Sequence, residues 1–208
     1  MMLPENIHKS TKHVGKYEEA IIQSLVTYFE LNGYEVTPHS SLNIAWGSIL
    51  SDIDILLVKD YQLVCVEVKS HRDNLAKAPK QIDRIKDYVD YAYIATDKPI
   101  TNLDVPDVGL IYVQRDKVKI VKKAKKFSNK PRLNSIATLK KKCIVSFFGD
   151  YTRFLMISNK YELAVKVNLE GKCTRDCLKE IVTCGELCDI DCPIIEREKE
   201  LFLEVSNT

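Results

Sequence analysis

The chain has 208 residues, of which 29% are charged and 45% hydrophobic, and its formal net charge is +2. Seven glycines and seven prolines are fewer than average, so the composition excludes disordered, collagen-like and fibrous proteins. No apolar run approaches the roughly 18 residues of a membrane span, and the first residues lack the apolar stretch of a signal peptide. We therefore expect a soluble, cytoplasmic protein that does not contact membranes.

The first predicted element is a helix from about Lys16 to Leu31, where apolar residues recur at helical spacing. Glu18 lies on or beside the apolar face of this helix, which is an unusual place for a carboxylate that has no partner. The same spacing does not exclude Glu19. One of these two acids is therefore a candidate functional residue.

Three strands are predicted next. The first covers residues 34–37 and ends at Pro38, and a polar loop follows over residues 39–51. Two β-rich runs, residues 53–58 and 63–69, are separated by only four residues, which predicts a hairpin.

This hairpin places charged residues in a sheet that its apolar neighbours predict to be mostly buried. If it closes symmetrically, Asp54 faces Glu67 with Cβ atoms roughly 4.5–5.5 Å apart, which is destabilising for like charges. The period of two puts Lys69 on the same face beside them. Two close carboxylates with a carbonyl and waters suit a hard cation such as Mg²⁺. Asp52 is an alternative, but the hairpin register favours Asp54.

The remaining elements up to about residue 127 alternate between helix and strand. Strands that feed one sheet with helices between them predict an α/β fold. The predicted elements are a helix at 79–90 and strands at 91–96, 108–114 and 117–121.

A boundary is predicted between residues 127 and 132, and the segment beyond it is predicted to be a small α+β extension. Its elements are an amphipathic helix through Ile136, Leu139, Cys143 and Phe147, a strand at 163–169, a helix from near Thr174 and a hairpin at 194–205.

Five cysteines crowd the C-terminal end of the chain. Their spacing lacks the C-x-x-C pairs of zinc and cluster sites. Cys177, Cys184 and Cys188 recur with Ile181 as one stripe of an amphipathic helix that begins near Thr174. Buried free thiols are the favoured interpretation, and disulfides or a metal site are the alternatives. The five are Cys173, Cys177, Cys184, Cys188 and Cys192.

Residues 115–142 carry twelve basic side chains against one acid, Asp116. A segment of this charge density can bind phosphate backbones by releasing counterions, whatever the base sequence. The alternative is a lysine-rich solvated face around a linker.

Glu18 on the first helix, Asp54 on one strand and Glu67-Val68-Lys69 on the next resemble the PD-(D/E)XK, or restriction-endonuclease-like, nuclease superfamily. The stretches GKYEEAIIQSLVTYFELNGYEV, SDIDILLV and CVEVKS are most similar to archaeal Holliday junction resolvases. The resemblance covers roughly residues 12–125. The usual proline before the first acid is replaced by isoleucine.

The resemblance implies a restriction-endonuclease-like mixed sheet flanked by helices and a metal-dependent hydrolysis of phosphodiester bonds. Asp54, Glu67 and the Val68 backbone carbonyl would hold Mg²⁺, which Mn²⁺ could replace. Lys69 would orient the attacking water and stabilise charge at phosphorus. Glu18 would anchor a metal-bound water or a second ion, and Gln81 would help to place the substrate or the water.

We therefore expect an endodeoxyribonuclease that acts on branched or junction DNA in replication, repair or recombination. Its nuclease core would cover residues 1–127, and residues 133–208 would serve dimerisation or DNA reading. The resemblance to junction resolvases implies a homodimer. The alternative is a catalytically inactive nucleic-acid-binding protein that uses the basic segment 115–142.

Overall fold

The structure is a computed structural model that describes residues 8–9, 15–44, 48–99, 103, 105–139, 144 and 159–183. The chain forms two compact units. The first comprises residues 7–42 and 49–127, and the second comprises 128–208 with short segments around 4–6 and 43–48. Across the described ranges, no helix is both long enough and apolar enough to cross a membrane.

The first unit is built on one mixed sheet of seven strands that follow one another in chain order. The pairs β4–β5 and β5–β6 are parallel, whereas β1–β2, β3–β4 and β6–β7 are antiparallel. Helices flank this sheet, so the predicted α/β class is confirmed. The strands are β1 His8–Lys9, β2 Glu35–Ile44, β3 Ser48–Lys59, β4 Gln62–Lys69, β5 Tyr91–Thr96, β6 Gly109–Gln114 and β7 Lys117–Lys122.

The β3–β4 hairpin has the predicted register, with Leu56 opposite Cys65 and Val58 opposite Leu63. Its turn is shorter than predicted, because only Asp60 and Tyr61 lie between the strands. Both residues have positive φ, 48° and 62°. Two such residues form the tight turn whose twist matches that of the flanking strands, so the connection shortens without changing the register.

Helix α1, Lys16–Leu31, has the predicted bounds. The helix ends at Leu31, and Gly33, two residues later, adopts the left-handed conformation common after a helix (φ 78°). Its apolar face packs on one face of the sheet. That core combines Ile21, Ile22, Leu25 and Phe29 of α1 with Ile55, Leu57, Val64, Val66 and Val68 of the central hairpin.

Helix α2, Ala78–Ile85, follows a 3₁₀ turn at Leu75–Lys77 and is shorter than the helix predicted to reach residue 90. The chain must leave the helix early because Asp90 pairs with β4. The Asp90 N–H donates to the Leu63 carbonyl at 2.8 Å, and the Asp90 carboxylate accepts the Leu63 N–H at 2.9 Å. These bonds align the starts of β4 and β5.

Two predictions around strand β2 are wrong. The strand does not end at Pro38 but continues to Ile44, and it therefore occupies much of the segment 39–51 that was predicted to be a loop. In the described part of β1, the partners on β2 are Ser40 and Ser41, so this pairing does not need the missing N–H of Pro38. His39 has a φ of 51°, which marks an irregularity next to the proline.

The described part of the second unit contains three helices: α3 Leu133–Thr138, α4 Lys160–Leu169 and α5 Arg175–Thr183. The strand predicted at 163–169 is wrong. Asn159 caps α4 by accepting the Glu162 N–H at 3.0 Å, and Leu163, Ala164 and Val167 are buried at helical spacing. The sequence alternates between apolar and polar residues here partly because Leu169 is apolar, although its side chain is exposed in the helix.

Helix α5 begins after Thr174, as predicted. Helix α3 contains Ile136 but ends at Thr138, so the prediction that the same helix continues through Leu139 is wrong, because Leu139 has an extended backbone conformation. Cys65, Cys173 and Cys177 are free thiols, the first two of them buried. The predicted positions at Cys143, Phe147, Cys184, Cys188, Cys192 and the hairpin at 194–205 lie outside the described residues. The proposed roles of a nuclease core and an accessory region stay predictions.

Candidate functional site

The three charged residues predicted on the hairpin are buried in the sheet. Asp54 and Glu67 are each 2% exposed, and Lys69 is 7% exposed. Because side chains alternate along a strand, these residues lie on the face opposite the one that packs against α1. Burial of three ionisable groups costs free energy unless each is paired, so their contacts determine what the group can do.

The contacts tie the two strands together through charge-assisted hydrogen bonds. The Asp54 carboxylate on β3 accepts the backbone N–H of Val68 on β4 at 2.7 Å. The Lys69 ammonium forms an ion pair with the Glu67 carboxylate and donates to the Val68 carbonyl at 3.0 Å. The lysine therefore lies beside the acids, as the strand period predicts, and compensates part of their charge.

A solvent-facing cleft of about 470 Å³ lies at the carboxyl end of β4 and brings three predicted residues together. Lys69 enters it from β4, Glu18 from the first turn of α1, and Gln81 from α2. Glu67 adjoins the cleft through its ion pair with Lys69. The complete lining is Glu18, Lys69, Asp73, Asn74, Lys77, Lys80, Gln81 and Arg84.

The structure distinguishes the acids that the sequence left as alternatives. Glu18 lines the cleft, whereas Glu19 accepts from the Gln23 amide at 2.7 Å and pairs with His39 at 3.0 Å. Asp54 is buried in the hairpin, whereas Asp52 is only half-buried. Glu18 therefore lies at the cleft and Asp54 in the buried group beside it, and the functional roles of both stay predictions.

The oxygen atoms of Asp54, Glu67 and the Val68 carbonyl are a chemically suitable donor set for Mg²⁺, which prefers hard oxygen ligands. Within the described ranges, no three His, Cys, Asp or Glu side chains are grouped to hold a metal ion. Two carboxylates still fit, since Mg²⁺ usually keeps waters and takes substrate phosphate oxygens as further ligands.

Burial and charge also set the chemistry of two neighbouring groups. Burial raises the pKa of the Cys65 thiol, and the charges of Glu67 and Asp54 raise it further, so this thiol is not a nucleophile. Burial opposes ionisation of Asp73, but bonds from the Ser70 hydroxyl and N–H, with Lys69 and Lys98 nearby, outweigh it and lower the pKa.

A cluster that the sequence did not reveal links α1 to the turn after β4. Arg72 donates to the Tyr17 hydroxyl at 3.1 Å, and its guanidinium lies 4.3 Å from the centre of the Tyr17 ring. His71 packs its ring edge-on against Tyr17 and contacts Asp97 at 2.7 Å. Since Tyr17 directly precedes Glu18 and His71 lies two residues after Lys69, the cluster connects the two segments that carry these cleft residues.

The basic wall of the cleft was also missed. Lys80 and Arg84 of α2 line the same cleft as Gln81, together with Lys77 directly before the helix. The sequence signal was the spacing of three and four residues between these cations.

The family of bacteriophage P4 protein cII matches residues 14–182, which covers most of the chain and extends across both units. The chain belongs to the bacteriophage P4 protein cII family. Among curated proteins none matches the sequence. The name of the P4 cII family states no activity, so the resemblance to nucleases stays a prediction.

A solved structure of a protein of unknown function from Silicibacter pomeroyi is similar to part of this P4 cII family chain. The identity is 15% and the TM-score 0.45, over 55% of this chain and 76% of the other. A likeness this weak carries no argument about fold or function.

Proposed function

We propose that this protein is a metal-dependent endonuclease that hydrolyses phosphodiester bonds in DNA. The proposal is carried by one observation: the buried group Asp54, Glu67 and Lys69 adjoins a cleft that also contains Glu18 and Gln81. Apolar residues would fill the same sheet positions without the desolvation cost of three charges. A chemical role explains why charged residues stand there.

Asp54, Glu67 and the Val68 carbonyl would hold Mg²⁺, or Mn²⁺ in its place. The ion supplies polarisation of a phosphoryl oxygen and a lowered pKa of bound water. The Lys69 ammonium bonds to two of these donors, Glu67 and the Val68 carbonyl. It thereby compensates the charge of the buried Glu67 carboxylate.

Three side chains of the cleft have separate roles in this proposal. Lys69 donates hydrogen bonds to the attacking water and to the oxygens that gain negative charge at phosphorus. Gln81, half-buried on α2, positions the water or the phosphodiester through its amide. Glu18 orients a water from the first turn of α1.

The substrate class within DNA is proposed from the resemblance to archaeal Holliday junction resolvases. We infer that the protein prefers branched or junction DNA, and that it acts in the cytoplasm during replication, repair or recombination. A homodimer would supply two sites for two strands. Sedimentation of the purified protein would test the dimer separately from the chemistry.

The decisive experiment is cleavage of a labelled panel containing a four-way junction, a flap, a linear duplex and a single strand. Each substrate is incubated with Mg²⁺, with Mn²⁺ and with EDTA, beside Glu67→Gln and Lys69→Met. We expect metal-dependent cutting, fastest on the junction, that both substitutions reduce at least 100-fold. Lys86→Met removes a surface lysine away from the cleft and serves as the matched control.

A second candidate function is nucleic-acid binding without catalysis through the basic segment 115–142. The observation that favours it is the exposure of Lys117, Lys119 and Lys123 on and after the edge strand β7. Tight DNA binding with no cutting in any metal, unchanged in Glu67→Gln, would reject the nuclease and favour this candidate.

A further inference from the structure

One wall of the cleft, formed by α2 and by Lys77 directly before it, is basic. Lys77, Lys80 and Arg84 line the cleft and are exposed. The opposite side of the helix is anchored, because Ala78, Ile82 and Ile85 are buried. Apolar burial on one side therefore fixes which side chains face the cleft.

These three cations are available to an external anion. None of the three forms an ion pair in the described part of the chain. The acid on the same helix, Asp83, pairs instead with Lys86 at 2.7 Å, and Lys86 does not line the cleft. A ligand with several negative charges would thus find three cations without displacing a protein carboxylate.

The spacing of the cations suits a polymer of phosphates better than a single small anion. Lys77 lies directly before α2, and the seven residue steps from Lys77 to Arg84 extend about 10 Å along the helix axis at the helical rise per residue. Successive phosphates of one strand in B-form DNA advance about 3.4 Å along the duplex axis. The basic face therefore spans about three phosphates, and it lies beside Lys69 in the same cleft.

We propose that Lys77, Lys80 and Arg84 form the phosphate-binding face that holds a DNA strand beside Lys69. This inference rests on the proposed function for the identity of the ligand. It also assigns strand binding to α2 rather than to the basic segment 115–142. Phosphate contacts of this kind position a duplex but carry no sequence information.

Two triple variants with equal changes of charge test the assignment. One is Lys77→Ala/Lys80→Ala/Arg84→Ala. The control is Lys117→Ala/Lys119→Ala/Lys123→Ala, taken from exposed positions of the basic segment. Circular dichroism and thermal unfolding establish that both fold. Binding of a fluorescent duplex is then measured by anisotropy in EDTA, between 50 and 200 mM salt, with no cleavage to interfere.

We expect the α2 variant to lose affinity by about tenfold or more, and its salt dependence to fall by about 2 to 3 in log–log slope, since each phosphate contact contributes about 0.9. The control should stay within about threefold of the wild type. Equal losses in the two variants, a larger loss in the control, or no DNA binding by the wild type would each overturn the proposal.

Cleavage in Mg²⁺ separates this inference from the proposed function. If the wild type cuts DNA and the α2 variant binds and cuts equally well, the phosphate-binding face is wrong and the nuclease stands. If the wild type binds without cutting and only the α2 variant loses binding, the nuclease is wrong and the face stands.

Discussion

The carboxylate of Asp54 on β3 accepts the backbone N–H of Val68 on β4 at 2.7 Å. Val68 is also the residue whose carbonyl accepts from the Lys69 ammonium at 3.0 Å. One peptide segment therefore connects the first acid of the site with its lysine. A substitution at Asp54 or Lys69 can therefore change both the stability of the fold and the proposed chemistry, so variants must be chosen to separate these two effects.

Asp54→Asn and Asp54→Ala separate the two demands. Asparagine keeps an oxygen for the Val68 N–H, whereas alanine leaves that buried donor unsatisfied, at a cost of about 1–3 kcal/mol. We expect Asp54→Ala to unfold at lower urea concentration than Asp54→Asn, and both to abolish cleavage because neither carries a carboxylate. Substantial cleavage by a folded Asp54→Asn would remove Asp54 from the proposed donor set.

Lys69→Met leaves the Glu67 carboxylate buried beside an apolar side chain. Removal of one partner of a buried ion pair costs about 3–5 kcal/mol, which urea unfolding would measure. Addition of Glu67→Gln to Lys69→Met should recover most of the loss, because no isolated charge then remains. Lys86→Met breaks an exposed pair with Asp83 and should change stability by less than about 1 kcal/mol. Equal effects of the two lysine substitutions would contradict this account.

Asp90 is fully buried and holds the starts of β4 and β5 together through its backbone and its carboxylate. Asp90→Ala removes the acceptor of the Leu63 N–H and should lower stability by about 1.5–3 kcal/mol in urea unfolding. Asp90→Asn retains an acceptor oxygen and should be milder. If alanine and asparagine cost the same, the hydrogen bond to Leu63 is not what stabilises this strand alignment.

The thiol of Cys173 should resist alkylation in the folded protein. Burial, with a smaller effect of Cys177, raises its pKa to about 12, so almost no thiolate exists at pH 8. Burial likewise raises the pKa of Cys65. Peptide mass spectrometry after iodoacetamide treatment should show both unmodified until urea is added. Modification of either thiol at the rate of an exposed cysteine, without denaturant, would disprove this prediction.

Asp73 makes the free energy of unfolding depend on pH in the acidic range. Its folded pKa lies below the ordinary value of 3.8, because bonds from Ser70 and the charges of Lys69 and Lys98 outweigh the effect of burial. Its contribution to stability is complete above about pH 3.8 and is lost as the pH falls through the folded pKa. An NMR titration of its carboxyl carbon would measure this value.

Ser70→Ala should raise the Asp73 pKa, since it removes the side-chain hydrogen bond that favours the carboxylate. Ser128→Ala lies outside the first unit and should leave the titration unchanged. A titration midpoint that does not move in Ser70→Ala would show that the hydroxyl does not stabilise the charged form.

Local pattern determined much of the fold and of the candidate site. The period of two and the symmetrical hairpin were enough to predict the β3–β4 register and to place Asp54, Glu67 and Lys69 on one face. Helix α1 was predicted to its observed ends, because its apolar spacing and terminal glycine are local features. Strand register within a hairpin and the ends of a helix depend on residues that are close in sequence, so the sequence alone predicts them.

Tertiary structure decided what depends on distant partners. Residues 160–169 alternate like a strand but form a helix, because burial of Leu163 and Val167 favours helical spacing. Glu18 and Glu19 are adjacent, and only the packing of α1 decides that one enters the cleft while the other meets His39. Only the tertiary structure places the cations Lys77, Lys80 and Arg84 in the same cleft as Lys69, which lies on β4. Side-chain neighbours from separate elements are set by packing, which no local period encodes.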